Sequence, residues 1–163
     1  MMYKVNTMNK DEQHMLPQRD VAEFQDLIES LFQCCRERQQ YQSERFGLPD
    51  AELRCLLLFR NERYLTAKSI AERLHVAKSR VTKIVSSLVR KDFVESTDDP
   101  VDSRVKLLSL TRSGEKLLAE VLTFHSEVHR AILGRFTDEQ RAMLLGSMSL
   151  LGRHMKSVRD LME

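Results

Sequence analysis

The sequence predicts a mainly helical fold that carries one small β-hairpin. Its composition favours helix, because Leu, Glu, Arg, Lys and Met are frequent while the 163 residues include only five glycines and three prolines. Two short β-prone runs, 93–97 and 105–110, flank a charged loop that contains Asp99-Pro100, as in a hairpin. The segment 77–91 directly before them has a helical pattern and holds five basic residues and no acidic one. Together these features predict a winged helix-turn-helix between long terminal helices.

The first two helices are predicted from their caps and their apolar spacing. The first is expected to begin at Asp20 as its N-cap, and Gly47 with Pro49 ends the segment. Asp50 is expected to cap a second helix, in which residues 55–58 are all apolar, a cluster that predicts burial on most sides. Apolar residues of the first helix recur at intervals of three and four, as on one helix face. They are Val21, Phe24, Ile28, Leu31 and Cys35.

Two further helices form the predicted helix-turn-helix. Thr66 caps a short helix over 67–74, and a turn at His75-Val76 leads into the basic helix. The basic helix is apolar on one face, whereas its opposite face is basic and hydroxylated. The apolar face consists of Val81, Ile84, Val85, Leu88 and Val89.

Two long helices are expected to end the chain. Thr111 opens the first, which spans about 112–136. Thr137 and Gln140 form a capping box for the last helix, which runs nearly to Glu163. Methionines repeat along the last helix at the spacing of core positions, so they need no cofactor to explain them. They are Met143, Met148, Met155 and Met162.

The apolar stripes of the terminal helices predict self-association. A winged module of about 50 residues is too small to cover them, so pairing of two copies is expected. An intramolecular helical bundle is the alternative. The expected segments are a flexible arm (1–19), a first dimerisation helix (20–48), a winged helix-turn-helix region (50–111, with 66–91 the helix-turn-helix and 93–111 the wing) and C-terminal dimerisation helices (112–163).

Charge distribution points to a nucleic-acid face. The net charge is only +2, but residues 60–106 hold eleven Lys/Arg and seven Asp/Glu, leaving 15 basic and 17 acidic residues elsewhere. No secretory signal or membrane-spanning apolar run is visible, so no membrane partner is expected. Three cysteines do not make a disulfide framework and suit a reducing compartment. The expected location is the cytoplasm.

The start of the basic helix holds the candidate base-reading residues, because the second helix of such a motif enters the major groove with its N-terminal end. The guanidinium of Arg80 matches the two acceptors of a guanine. Arg104 at the hairpin tip can enter the minor groove, with Asp102 holding its guanidinium. Arg90 and Lys91 are expected to meet the DNA backbone or solvent. The expected DNA-binding set is Lys68, Lys78, Ser79, Arg80, Thr82, Lys83, Asp102, Arg104 and Lys106.

At these residues the chain resembles the MarR family of bacterial transcription regulators. The similarity covers 66–114 closely, and the terminal helices agree with the family in layout. The hairpin motif with its following Leu-Thr is fairly specific to the family, whereas a helix-turn-helix alone is not. The residues that carry the resemblance are Leu65-Thr66, Ile70-Ala71-Glu72-Arg73-Leu74, Lys78-Ser79-Arg80-Val81-Thr82, Asp102, Arg104, Leu110-Thr111 and Gly114.

This resemblance implies an obligate homodimer on a roughly palindromic operator, with a small molecule or an oxidant releasing the DNA from it. The expected role is that of a repressor, although the sequence does not distinguish a repressor from an activator. It also implies a ligand pocket between the dimerisation helices and the winged module. Two positions depart from the family. Ala77 stands where the family usually has a capping serine, which weakens that helix start by about 1 kcal/mol unless another group caps it. Asp92 stands where the family has glycine, and Asp adopts the left-handed conformation less freely.

Other interpretations of the sequence stay open. The winged module could bind another protein instead of DNA. Cys34 and Cys35 could serve an oxidant sensor or a thiol enzyme, although a structural role for Cys35 is the default. His125 and His129 are four residues apart and could share a metal, but a chance spacing is the preferred interpretation. Without a phosphate-binding loop or a catalytic signature, the sequence predicts no enzyme, metal or cofactor.

Overall fold

A computed structural model of the chain describes residues 16–100, 102 and 104–160. Most of the predicted arm (1–15) and the end of the last helix (161–163, with Met162) lie outside the described residues. The prediction of a mainly helical fold with one hairpin is confirmed. In chain order the elements are α1 (Gln18–Phe46), α2 (Asp50–Leu57), a 3-10 helix (Leu58–Asn61), α3 (Ala67–Leu74), α4 (Lys78–Arg90), β1 (Val94–Asp98), β2 (Lys106–Leu110), α5 (Arg112–Leu133) and α6 (Asp138–Asp160).

Residue contacts divide the chain into two compact units. Among the described residues, the first unit contains 16–30 and 127–160, and the second contains 31–126. The second unit includes the helix-turn-helix, the hairpin and the main apolar core. Residues of this core that are at most 7% exposed are Leu48, Leu53, Cys55, Leu56, Phe59, Leu65, Ile70, Leu74, Val81, Ile84, Leu88, Val94, Leu108, Leu118 and Val121.

Two predicted helix starts are confirmed by their capping hydrogen bonds. The Thr66 hydroxyl accepts from the backbone N–H of Ser69 at 3.1 Å, and the Ser69 hydroxyl oxygen accepts from the Thr66 N–H at 3.1 Å. At α6, the Thr137 hydroxyl accepts from the Gln140 N–H at 3.3 Å while the Gln140 side chain accepts from the Thr137 N–H at 3.0 Å. Each reciprocal pair satisfies backbone donors that a helix start leaves without partners.

The predicted caps Asp20 and Asp50 are wrong, because a proline before each aspartate takes the capping position. The carbonyl of Pro17 accepts from the N–H of Asp20 at 2.9 Å, so α1 begins at Gln18 and Asp20 lies within its first turn. In α2 the capping residue is Pro49, and Asp50 is the first helical residue. Both aspartates therefore lie at the positive end of a helix dipole without capping it.

The long helix α5 ends earlier than predicted, at Leu133 instead of about residue 136. Arg141 serves the carbonyls at this end, because its guanidinium donates to the oxygens of Leu133 at 3.4 Å and Phe136 at 3.0 Å. Carbonyls at a helix end need such partners once the helix stops.

The hairpin contains more pairing than the sequence predicts. Strands β1 and β2 are antiparallel, with Val94 opposite Leu110 and Asp98 opposite Lys106. Leu65, directly before the cap of α3, adds a bridge to β2: its N–H donates to the Leu108 carbonyl at 2.9 Å and its carbonyl accepts from the Leu108 N–H at 2.8 Å. This bridge ties the base of the wing to the start of the helix-turn-helix.

The apolar stripes of α1 and α6 are exposed to a large extent in the single chain. No helix in the described ranges has both the length and the apolar character needed to cross a membrane. The large apolar residues of α1 and α6 that are at least 41% exposed are Val21, Phe24, Leu27, Leu31, Phe32, Met143, Leu145, Met148, Leu150, Met155 and Val158.

Candidate nucleic-acid interface

A three-residue turn joins the two helices of the predicted motif. His75 ends α3 in the left-handed conformation, with φ of 54°, and the N–H of Val76 donates to the carbonyl of Ala71 at 3.1 Å. Helix α4 starts after Ala77, whose side chain supplies no capping hydrogen bond. The structure therefore agrees with the sequence that Ala77 leaves this helix start without a side-chain cap.

Burial of one face of α4 fixes which of its side chains meet solvent. Val81 and Leu88 are fully buried and Ile84 is 6% exposed. Because these positions recur at helical spacing, the opposite face must point outward. That face begins with Lys78, Ser79 and Arg80 and continues with Thr82 and Lys83; all five are exposed.

All nine residues of the expected DNA-binding set are exposed, and they lie in two groups. The first group is at the starts of α3 and α4, and the second is in the hairpin. One hydroxyl of the first group already has a partner, because Thr82 donates to the Lys78 carbonyl at 3.1 Å and keeps only its acceptor lone pairs. The set comprises Lys68, Lys78, Ser79, Arg80, Thr82, Lys83, Asp102, Arg104 and Lys106.

The tip of the hairpin is held by Asp102. Its carboxylate accepts from the backbone N–H of Arg104 at 3.0 Å, and its own N–H donates to the Asp99 carboxylate at 3.3 Å. The Nε atom of Arg104 lies 3.7 Å from Asp102 Oδ1, an ion pair beyond hydrogen-bond length. Asp102 thus fixes the backbone of the tip more than the guanidinium, and the Arg104 side chain is 93% exposed.

Two basic residues near this face are paired within the protein. The Lys106 ammonium contacts the Asp98 carboxylate across the hairpin. Lys91 Nζ lies 2.7 Å from Glu52 Oε2 on α2. The sequence expectation that Lys91 meets only DNA backbone or solvent therefore misses a protein partner, because a contact 39 residues away leaves no local pattern.

The junction between α4, the hairpin and α5 is locked by a small set of hydrogen bonds. Asp92 follows α4 with φ of 60°, so the left-handed position predicted there is confirmed. The hydroxyl of Thr111 donates to the Asp92 carbonyl at 2.5 Å and accepts from the Gly114 N–H at 3.0 Å. The N–H of Thr111 donates to the Phe93 carbonyl at 3.2 Å. The Leu110-Thr111 and Gly114 motif thus holds α5 against the root of the wing.

A cavity of about 380 Å³ lies in the second unit, at the base of the wing. Its walls come from the segment after α2, from both hairpin strands and from the first half of α5. Polar groups at its rim are partly engaged already, since the Ser109 hydroxyl donates to Glu95 at 3.1 Å. Lining residues include Phe59, Tyr64, Glu95, Ser109, Leu118 and Leu122.

The candidate thiol and metal residues lie elsewhere in the fold. Cys34 and Cys35 are exposed on α1, and Cys55 is buried. Burial, with a smaller contribution from the Glu52 carboxylate, raises the pKa of Cys55 to about 12, so this thiol stays protonated and unreactive. His125 lies 2.8 Å from the Gln42 side chain. Within the described ranges, no three His, Cys, Asp or Glu residues are grouped so that they could hold a metal.

Comparison with known proteins identifies a related family. The MarR family profile matches residues 46–105. YsmB, an uncharacterized HTH-type transcriptional regulator of Bacillus subtilis, is 30% identical over 56% of this chain and 63% of its own. MdtR, an HTH-type transcriptional repressor of the same species, is 29% identical over 74% of this chain and 77% of its own. The match thus spans under two thirds of YsmB.

Solved structures extend the likeness to the terminal helices. YusO of Bacillus subtilis has a TM-score of 0.71 and 26% identity, covering 85% of this chain and 98% of YusO. A MepR mutant of S. aureus bound to an oligodeoxyribonucleotide has a TM-score of 0.60 and 19% identity, covering 81% and 97%, and this likeness concerns the fold alone. With the helix-turn-helix, the hairpin motif and the Leu-Thr and glycine lock all present, residues 46–105 of the chain are similar to the MarR family of winged helix-turn-helix transcription regulators.

Proposed function

We propose that this protein is a sequence-specific DNA-binding regulator of transcription. The observation that carries the proposal is the outward face of α4, where Lys78, Arg80 and Lys83 project opposite a buried apolar stripe. The exposed Arg104 of the wing adds a second cationic contact. The MarR family consists of transcription regulators and not of enzymes, and the fold of the oligonucleotide-bound MepR mutant is shared by this chain.

Each side chain of the interface has a proposed role. Arg80 reads a guanine edge with two parallel hydrogen bonds, while Lys78 and Lys83 bind phosphates or bases. Arg104 enters the minor groove, where the negative potential is strongest, and Asp102 holds the tip that presents it. The remaining members contribute phosphate contacts, of which Lys106 gives the weakest because Asp98 already pairs with it; these members are Lys68, Ser79, Thr82 and Lys106.

The acting form is proposed to be a homodimer on a palindromic operator. The apolar side chains of α1 and α6 that are exposed in the single chain support self-pairing over the intramolecular bundle. A groove of about 990 Å³ in the first unit, between Phe24 and residues 151–158, offers a place for the partner's side chains. Two copies related by a two-fold axis present two recognition helices to successive major grooves.

The protein is proposed to repress transcription in the cytoplasm, and a small molecule is proposed to relieve this repression. The relative MdtR is a repressor by name, which supports the sign of the effect. The cavity at the base of the wing supports the effector, since a ligand there contacts both hairpin strands and α5. The wing has a DNA-binding position and a shifted position, and a ligand that prefers the shifted position lowers the affinity for DNA. The loss of DNA affinity is set by the difference between the ligand's affinities for the two positions.

Binding measurements with two arginine variants test the DNA interface. A duplex is first selected from a random pool by the wild-type protein. Arg104→Ala is expected to weaken binding to selected and random duplexes alike, whereas Arg80→Ala also reduces the preference for the selected duplex. Arg130→Ala, a loss of the same charge at an exposed position outside both the winged module and the groove, is the control. Equal affinities of both arginine variants and the wild type would refute the interface, and a wild type that binds no duplex at low salt would instead favour a protein-binding module.

A charge placed on the apolar stripe tests the dimer. Phe24→Asp is expected to convert the dimer to monomer in sedimentation equilibrium, because a carboxylate buried without a partner is strongly unfavourable. Ser30→Asp puts the same charge elsewhere on α1 and is expected to leave the dimer intact. A wild-type protein that sediments as a monomer at micromolar concentration contradicts the proposal.

A further inference from the structure

We infer that Glu52 and Lys91 form a positioning pair that holds the recognition helix in its DNA-binding orientation. The inference rests on the proposed DNA-binding function and goes beyond it, because neither residue belongs to the interface. Lys91 Nζ lies 2.7 Å from Glu52 Oε2. The Glu52 side chain is 8% exposed and that of Lys91 is 33% exposed, so water screens the pair only in part.

Glu52 is a fixed anchor because it lies in α2, a helix that is packed into the core of the second unit. Its neighbours Leu53, Cys55 and Leu56 are at most 1% exposed. The carboxylate also lies near enough to the Cys55 thiol to contribute to the raised pKa of that group. A carboxylate held in such a place costs free energy unless a cation accompanies it.

Lys91 lies where recognition helix and wing meet. Its backbone N–H donates to the Ser87 carbonyl at 3.0 Å as the end of α4, and Asp92 turns the chain with φ of 60° directly after it. The N–H of Phe93 then donates to the Leu88 carbonyl at 3.0 Å, next to the start of β1. A displacement of Lys91 therefore moves the end of α4 and the root of the wing together.

The apolar contacts of α4 do not give the same directional control. Val81, Ile84 and Leu88 are buried by apolar contacts, which individually depend only weakly on direction. An ion pair with a hydrogen bond has a preferred geometry. Base reading requires side chains to be placed within about 0.5 Å, which makes such a directional restraint useful for specificity.

Because Glu52 is negatively charged, the direction in which Glu52→Gln changes DNA affinity tests the inference. Replacing Glu52 by Gln removes a negative charge from a DNA-binding protein, so general electrostatics predicts tighter binding. Loss of a positioning pair predicts weaker binding to the selected duplex. The two explanations therefore predict opposite outcomes for a single substitution.

The experiment measures affinity of the full chain for the selected duplex and for a random duplex over a range of salt concentrations. Lys91→Met and Glu52→Gln are each expected to lower affinity for the selected duplex about tenfold, as when one base contact is lost. Affinity for the random duplex should change less than about twofold, because phosphate contacts remain. Lys91→Arg, which can still pair with Glu52, should restore binding to the selected duplex.

The salt dependence separates positioning from direct contact. Lys83→Met, from the outward face of α4, is the matched control and should reduce the slope of log affinity against log salt by about 0.9. Lys91→Met should leave that slope unchanged. Circular dichroism melting identifies a variant that fails to fold, and in that case the double variant E52Q/K91M, which removes both charges at once, takes its place.

Specific outcomes overturn the inference. Glu52→Gln binding the selected duplex as tightly as the wild type, or more tightly, refutes positioning while leaving the DNA-binding function intact. If Lys91→Met reduces the slope of log affinity against log salt as Lys83→Met does, Lys91 contacts a DNA phosphate and is not a positioning residue. If the wild type binds no duplex, the DNA-binding function fails first, and the inference falls with it.

Discussion

Gly114 in the first turn of α5 packs directly against the backbone carbonyl of Phe93 at the root of the wing. A Cβ atom on residue 114 would overlap the carbonyl oxygen of Phe93, and it would lie 2.9 Å from the carbonyl carbon and 3.3 Å from Leu110 Cδ2. Neither backbone atom can move without displacing the hairpin. Glycine at this position therefore permits the close approach of α5 and the wing.

Gly114→Ala is expected to lower the free energy of unfolding by about 3 kcal/mol, because a methyl group forced against backbone must shift the packed elements. Urea unfolding measures the change. Gly146→Ala is the matched control: a Cβ at residue 146 on α6 meets nothing within 4 Å, so this variant should gain up to about 1 kcal/mol from helix propensity. Equal stability changes in the two variants would contradict the close approach.

The two helices of the helix-turn-helix differ in their capping, and substitutions should reveal it. Thr66→Ala removes a reciprocal cap and should lower the free energy of unfolding by about 1 kcal/mol. Ala77→Ser supplies a hydroxyl where α4 has no side-chain cap and should raise it by a similar amount, about 1 kcal/mol. Thermal unfolding followed by circular dichroism checks both, and a neutral Ala77→Ser would mean that the new hydroxyl does not reach the backbone.

The exposed His75 ends α3 in a left-handed conformation that a side chain disfavours. His75→Gly is expected to raise the free energy of unfolding by about 1 kcal/mol, because glycine adopts φ of 54° without the Cβ clash. His75→Ala is the control, since it removes the imidazole and keeps the Cβ. Chemical denaturation of the two variants should show a gain only for glycine.

Cys55 should be inert in the native protein. In a Cys34→Ser, Cys35→Ser variant, a thiol reagent at pH 8 should modify no cysteine before unfolding and one after it, because burial raises the pKa of Cys55 to about 12. Rapid modification of the folded variant would show that the site opens readily.

The same thiol has a consequence for stability at alkaline pH. The folded state holds the proton to a pKa of about 12, against the ordinary thiol pKa of 9.0, so the unfolded state ionises first as pH rises. Stability from this group is thus fully present below pH 9 and declines between 9 and 12. Comparing the unfolding free energy with that of a Cys55→Ala variant over this range should show the steeper decline in the protein that keeps Cys55.

Local patterns in the sequence predicted the elements well. The bounds of α3, the capping boxes at Thr66 and Thr137, and the hairpin all depend on residues close together in the chain, where spacing and turn chemistry act directly. The sequence did not predict that α1 and α2 begin directly after Pro17 and Pro49. An aspartate that caps a helix and an aspartate inside its first turn look the same in the sequence. The two cases differ only in the backbone conformation of the aspartate, which the spacing of residues does not reveal.

The exposed basic face follows from the sequence alone, because a helix that buries Val81, Ile84 and Leu88 must turn its cationic residues outward. The amino-acid order also determined the position of the wing and the family resemblance. Only the tertiary structure decided that Leu65 pairs with β2, that Phe93 closes on Gly114, and that Glu52 holds Lys91. These contacts join residues far apart in the chain, and their formation depends on the packing of whole elements, which no local periodicity encodes.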